Sequence, residues 1–117
     1  MHVSDATTSQ RRDGDYAAEE RLTLAEVPGL RVRQLRLAAG QCVPWHYHNE
    51  VTDIFFCMKG PMCVQTRDPD VVFELQPGNT VEIPAGRPHY AAGVENRPCE
   101  FIVIQGVGTY DYVPLTN

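Results

Sequence analysis

The chain has 117 residues, 43% hydrophobic and 9% aromatic, which suits one globular domain with one core and excludes a wholly disordered chain. Fifteen acidic side chains outnumber ten basic ones, giving a net charge of −5, and Lys59 is the sole lysine. That balance argues against nucleic acid or an anionic membrane surface as partner, since both select clustered Lys and Arg.

Residues 1–20 carry charge, Ser, Thr and Gly without a sustained apolar period, and read as a polar arm that includes His2, flexible or ordered only by packing on the body or on a second subunit. Residues 21–117 then form the domain. A weak pattern over residues 15–25 would suit a short helix. From Leu22 onward, strand-sized runs recur between Gly and Pro punctuation. They are RLTLAEV, LRVRQLRLA, QCVPWHYH, TDIFFCMKG, MCVQTR, VVFELQ, NTVEIP, HYAAGVEN and CEFIVIQGVG. No three-turn stripe of 3.6-residue period appears, so the expected class is all-β, a single antiparallel barrel or sandwich.

Cys42, Cys57, Cys63 and Cys99 contain no C-x-x-C pair, and no secretory or membrane-spanning apolar run is present. Reduced thiols in a cytoplasmic chain are therefore expected, each acting as a small hydrophobe.

Three of the four histidines fall into one pattern. His46 and His48, at i and i+2 in an extended segment, project from the same face. Asp53 opens the next strand and shares its parity with Phe55 and Cys57. His89 arrives from a distant strand pair after the Pro84–Gly86 turn. Gly40 precedes His46 by five intervening residues, and Gly60 follows Asp53 by six; a second block runs Gly78, Pro84, Gly86, His89. This spacing resembles the paired motifs of the cupin superfamily, G-x5-H-x-H-x3,4-E-x6-G and G-x5-P-x-G-x2-H-x3-N. Asp53 stands where that superfamily usually has Glu, and Gly93 where it usually has Asn.

The resemblance implies a small jelly-roll barrel, paired as a homodimer. Within it, His46, His48, Asp53 and His89 would hold one divalent transition metal. Nitrogen and oxygen donors without thiolate suit Fe(II), Mn(II), Ni(II) or Zn(II). Asp is one methylene shorter than Glu. Its carboxylate either ligates directly or sits behind a three-histidine site as an acid/base group, and Glu50 is the other acid within reach.

Parity nominates Gln41, Phe55, Cys57, Phe101, Val103 and Gln105 as pocket wall. Arg87, two residues before His89, is a candidate anchor for a substrate carboxylate or phosphate. Tyr47 and Tyr90 fall on the opposite face from the ligand histidines, and Arg31 with Arg33 is expected to face solvent or a partner strand. The leading functional expectation is a mononuclear metal enzyme acting on a small polar metabolite, with dioxygenase chemistry ahead of isomerase, epimerase or lyase chemistry. The alternatives are a metal- or ligand-binding module without turnover, for which Phe55, Met62 or Phe101 would plug the cavity, and thiol-based sensing through Cys57 or Cys42.

Overall fold

The computed structural model describes residues 16–115, so most of the expected arm, including His2, lies outside the described residues. Within them the strands are β1 (Glu20–Val27), β2 (Leu30–Leu37), β3 (Cys42–Tyr47), β4 (Thr52–Lys59) and β5 (Met62–Thr66). There follow β6 (Val71–Leu75), β7 (Thr80–Ile83), β8 (His89–Gly93), a short 3-10 turn (Val94–Asn96), β9 (Cys99–Gly106) and β10 (Val113–Pro114). Every expected run is a strand. The short helix over 15–25 is not formed: that stretch enters β1, where pairing with β2 from Glu20 to Val27 outweighs a weak local preference. Residues 16–19 pack on the body, with Ala18 fully buried.

The strands form two five-stranded sheets, ordered β1-β2-β9-β4-β7 and β10-β3-β8-β5-β6, with antiparallel pairing throughout. This is the jelly-roll sandwich. Its inner faces enclose a core that includes Leu35, Leu37, Val43, Phe55, Cys57, Met62, Val64, Leu75, Ile83 and Phe101.

Register sorts the inner residues into rows. On the first sheet Arg31, Gln105 and Asp53 stand abreast on β2, β9 and β4; behind them come Arg33, Val103 and Phe55, then Leu35, Phe101 and Cys57. On the second sheet His46, His89 and Thr66 stand abreast on β3, β8 and β5, backed by Val43, Ala91 and Val64. One end of the barrel is thus polar inside, and apart from Arg33 the inner rows behind it are apolar.

Candidate metal centre

An irregularity in β3 aims the first histidine inward. Val43 and His46 are both buried although three residues apart, which strict alternation forbids. A register shift between them, at Pro44 and Trp45, absorbs the extra residue, and Pro44 has no N–H to withdraw from the ladder. The Pro44 carbonyl then accepts the Nδ1–H of His46 at 2.7 Å.

The other two rings are fixed the same way. His48, just past β3, donates Nδ1–H to the Asp111 carbonyl at 2.5 Å, and His89, opening β8, donates to the Arg87 carbonyl at 2.8 Å. A carbonyl oxygen can only accept, so all three protons sit on Nδ1 and every neutral ring keeps a lone pair on Nε2. Asp53 Oδ2 lies 3.1 Å from Nε2 of His48 and 2.9 Å from Nε2 of His89. All four side chains are buried, and one ligand atom from each falls within 4.8 Å of the others.

These distances fit a single ion. Two donors about 2.1 Å from a metal and at right angles to each other are about 3 Å apart. Without a cation, holding both Nε2 atoms against Oδ2 by hydrogen bonds needs two charged imidazoliums on one carboxylate, because the Nδ1 protons are already committed. A divalent ion satisfies the same geometry with neutral rings.

Without a metal ion His46, Asp53 and His48 titrate unequally. Burial, then the neighbouring His89, pushes His46 down to about 3, so it is neutral at pH 7. Burial works to raise Asp53, but hydrogen bonds from His48 and His89 outweigh it and hold the carboxyl below the ordinary carboxylate range. Burial opposes charge on His48 too, and there the hydrogen bond with Asp53 and that carboxylate's charge prevail, raising its pKa.

The profile of the Cupin domain family matches residues 33–105, well over half the chain. The chain belongs to the cupin family. No curated protein matches it significantly in sequence. Among solved structures, an uncharacterized conserved protein with a double-stranded beta-helix domain from Klebsiella pneumoniae superposes with a TM-score of 0.71 at 17% identity, covering 92% of this chain and 90% of the other. KdgF from Halomonas sp. gives 0.65 at 20% identity over 77% and 79%. The oxalate decarboxylase of Lactobacillus farciminis gives 0.72 at 15% identity, where this cupin covers only 33% of the larger chain. At such identities the likeness speaks for the fold alone.

Both departures from the cupin motifs have structural settings. At Asp53 the shorter acid still brings Oδ2 against two imidazoles. At Gly93 a Cβ would sit 1.7 Å from the Arg97 carbonyl oxygen, so the 3-10 turn that follows β8 leaves no room for Asn. Glu50 does not approach the cluster; it is exposed and accepts the Thr109 N–H at 3.0 Å.

The nominated wall residues divide. Phe55, Phe101, Val103 and Gln105 line a cavity of about 20 Å³ beside His46 and Asp53, room for about one water. Cys57 and Met62 lie in the buried core and Gln41 closes the β2–β3 turn, its Oε1 accepting the Ala38 N–H at 2.8 Å; none of the three lines that cavity. Arg87 points away as well, donating to the carbonyls of Arg67 and Pro69 in the β5–β6 turn. Tyr90 stacks on Trp45, its ring centroid 5.7 Å away. All four cysteines are free; burial pushes the Cys57 thiol up and Cys99 up to about 12, which removes the thiolate a Cys57 sensor requires.

Six residues of the cavity wall lie outside the set that parity picks out: Leu35 and Val43, which belong to the apolar core, and Arg33, Tyr16, Tyr110 and Tyr112. Arg33 does not face solvent. It shares inward parity with Leu35 and Leu37 and is buried, a signal present in the alternation of RVRQLRL but masked by its charge. Tyr112 stacks on His46 at 4.3 Å and 12°. Tyr110 lies 5.2 Å from His48, and Tyr16 lies 6.0 Å from Tyr112. These tyrosines stand in unpaired segments beyond the two motifs, where strand periodicity says nothing.

Proposed function

We propose that this cupin is a mononuclear metal enzyme acting on a small carboxylate-bearing metabolite, with oxygen-consuming oxidation as its reaction class. The observation that carries this reading is the cavity wall: the buried guanidinium of Arg33 and the ligands His46 and Asp53 line the same small space. When bound, the ion would supply Lewis acidity and an open position for substrate or O2. Arg33 would fork onto the carboxylate and set its orientation. Phe55, Phe101 and Val103 would keep bulk water out, and Asp53 would complete the ligand set. Fold neighbours include an oxalate oxidase solved with glycolate, which makes small carboxylates the first class to try.

A cavity of only about 20 Å³, bounded by Tyr16, Tyr110 and Tyr112, favours a second reading in which the site binds metal without turnover. The test is to load metal-free protein with Fe(II) or Mn(II) and follow O2 consumption with oxalate, glycolate and other small acids, with thiols and diketones as comparison. Metal-dependent turnover of an acid that drops about a hundredfold in Arg33→Leu supports the enzyme. Stoichiometric metal without turnover of any of these compounds supports the binding module.

A further inference from the structure

Asp53 is one methylene shorter than the Glu usual at its position, and two side chains outside the ligand set orient it. Gln105 Nε2 donates to Asp53 Oδ1 at 3.2 Å, while Gln105 Oε1 accepts from Arg31 Nε at 3.1 Å and from Nη2 at 2.9 Å. The three residues are direct cross-strand neighbours on β2, β9 and β4, so the backbone ladder sets their spacing. Gln105 and Asp53 are both buried.

The amide can point only one way. A guanidinium has no acceptor, so Oε1 must face Arg31 and the NH2 group must face Asp53. An N–H aimed at Oδ1 makes that oxygen an acceptor and fixes the rotation of the carboxylate about χ2, a torsion that is otherwise broad. Oδ2 is thereby the oxygen turned to His48 and His89. Arg31 is itself fixed by the ring of Tyr110, with its guanidinium carbon 3.7 Å from the centroid.

We infer that Arg31 and Gln105 are positioning residues that select Oδ2 of Asp53 as the single metal-facing oxygen and hold it there. In this chain they make an aspartate serve where one more methylene is usual. The inference rests on the metal reading above and is separable from it, because it concerns how one ligand is oriented and not which reaction follows.

Cobalt(II) is the probe. Metal-free wild type, Gln105→Leu, Arg31→Met, Arg31→Lys and the Arg31→Met/Gln105→Leu double variant are titrated with Co(II) against a chelator, and visible spectra of the loaded forms are recorded. Gln105→Leu should weaken Co(II) binding by about 10- to 100-fold and shift the visible bands, as the freed carboxylate turns. Arg31→Met should give a smaller loss, on the order of threefold to tenfold, with partial recovery in Arg31→Lys. The double variant should be no worse than Gln105→Leu, since Arg31 acts only through the amide. An unchanged affinity and spectrum in Gln105→Leu, or additive losses in the double variant, overturns the inference while leaving the metal site standing. Should Gln105→Leu fail to fold, unchanged affinity and spectrum in Arg31→Met overturn it equally. Wild type that takes up no Co(II) overturns both.

Discussion

Sheet β10-β3-β8-β5-β6 and the segments flanking its strands hold the imidazoles by main-chain carbonyls, whereas sheet β1-β2-β9-β4-β7 holds its carboxylate by side chains. His46, His48 and His89 each give the Nδ1 proton to a backbone oxygen, from Pro44, Asp111 and Arg87 respectively. Those oxygens persist whatever residue stands at the acceptor position, provided the backbone path is kept. Asp53 depends on the amide of Gln105, which depends on Arg31, and a single substitution removes either. The difference separates a half of the site that is built into the fold from a half that is written in side chains.

The largest expected effect breaks the first half. His89→Ala removes the ring that closes the cluster from β8 and should lower metal affinity by more than about a thousandfold, because no nearby group can supply a second Nε2 in that place. Metal content after gel filtration, by elemental analysis, measures it; one equivalent retained removes His89 from the ligand set. Asp53→Asn probes the second half with nearly the same shape. It should cost on the order of a hundredfold in affinity, read by chelator competition, since an amide oxygen is a weaker donor than a carboxylate for a divalent ion. Asp53→Glu should lose affinity as well, by about tenfold. The corner already brings Oδ2 to 2.9 Å from His89, so an added methylene overpacks it.

The histidine half was legible because its signals are local and rare. Two histidines at i and i+2, a third after a Pro–Gly turn, and the turn residues between strands all follow from strand periodicity and backbone conformation. The carboxylate half was only partly legible. Parity points Gln105 inward, but the charge of its partner Arg31 points to solvent or a partner strand, because a charged side chain in a strand usually faces water. Here the row Arg31–Gln105–Asp53 is a pairing across three strands distant in sequence, and register of that kind is set by the whole sheet. The tyrosine cover escaped for a related reason: the segment from Thr109 to Tyr112 is anchored to Asn49 and Glu50 by long-range hydrogen bonds, not by a repeating pattern.

Acid should expose the asymmetry in metal-free protein. His46 titrates near 3 in the fold and near 6.5 when unfolded, so between these values the unfolded chain binds a proton that the folded chain refuses. Its contribution is complete above pH 6.5 and is lost as pH falls toward 3. His48 has the opposite sign: raised in the fold, it adds stability below its unfolded value and loses it as pH rises through its folded one. Below pH 6.5 that contribution is constant, and Asp53, lowered in the fold, begins to lose its share only below about 3.8. Urea unfolding from pH 6 to pH 4 should therefore show stability falling by about 1 kcal/mol per pH unit, close to the single-proton limit. His46→Phe, which keeps an aromatic ring against Tyr112, should flatten that slope; an unchanged slope would assign it to another group.

The smallest expected effect lies outside both sheets. Asn49 accounts for two hydrogen bonds to the Asp111 side chain, from its N–H at 2.9 Å and its Nδ2 at 2.6 Å, and the carbonyl of that same Asp111 orients His48. Asn49→Ala keeps the first bond and removes the second at an exposed site, where a side-chain hydrogen bond contributes about 1 kcal/mol. Metal affinity should fall by only about fivefold, less than for Gln105→Leu, because the Asp111 carbonyl still has the stacked Tyr112 beside it to keep the segment in place. A loss as large as that of Gln105→Leu would show that the 109–112 segment supports the metal as strongly as the β2–β9–β4 row does. The contrast between main-chain and side-chain support would then have to be redrawn around a side chain that reaches His48 through a carbonyl.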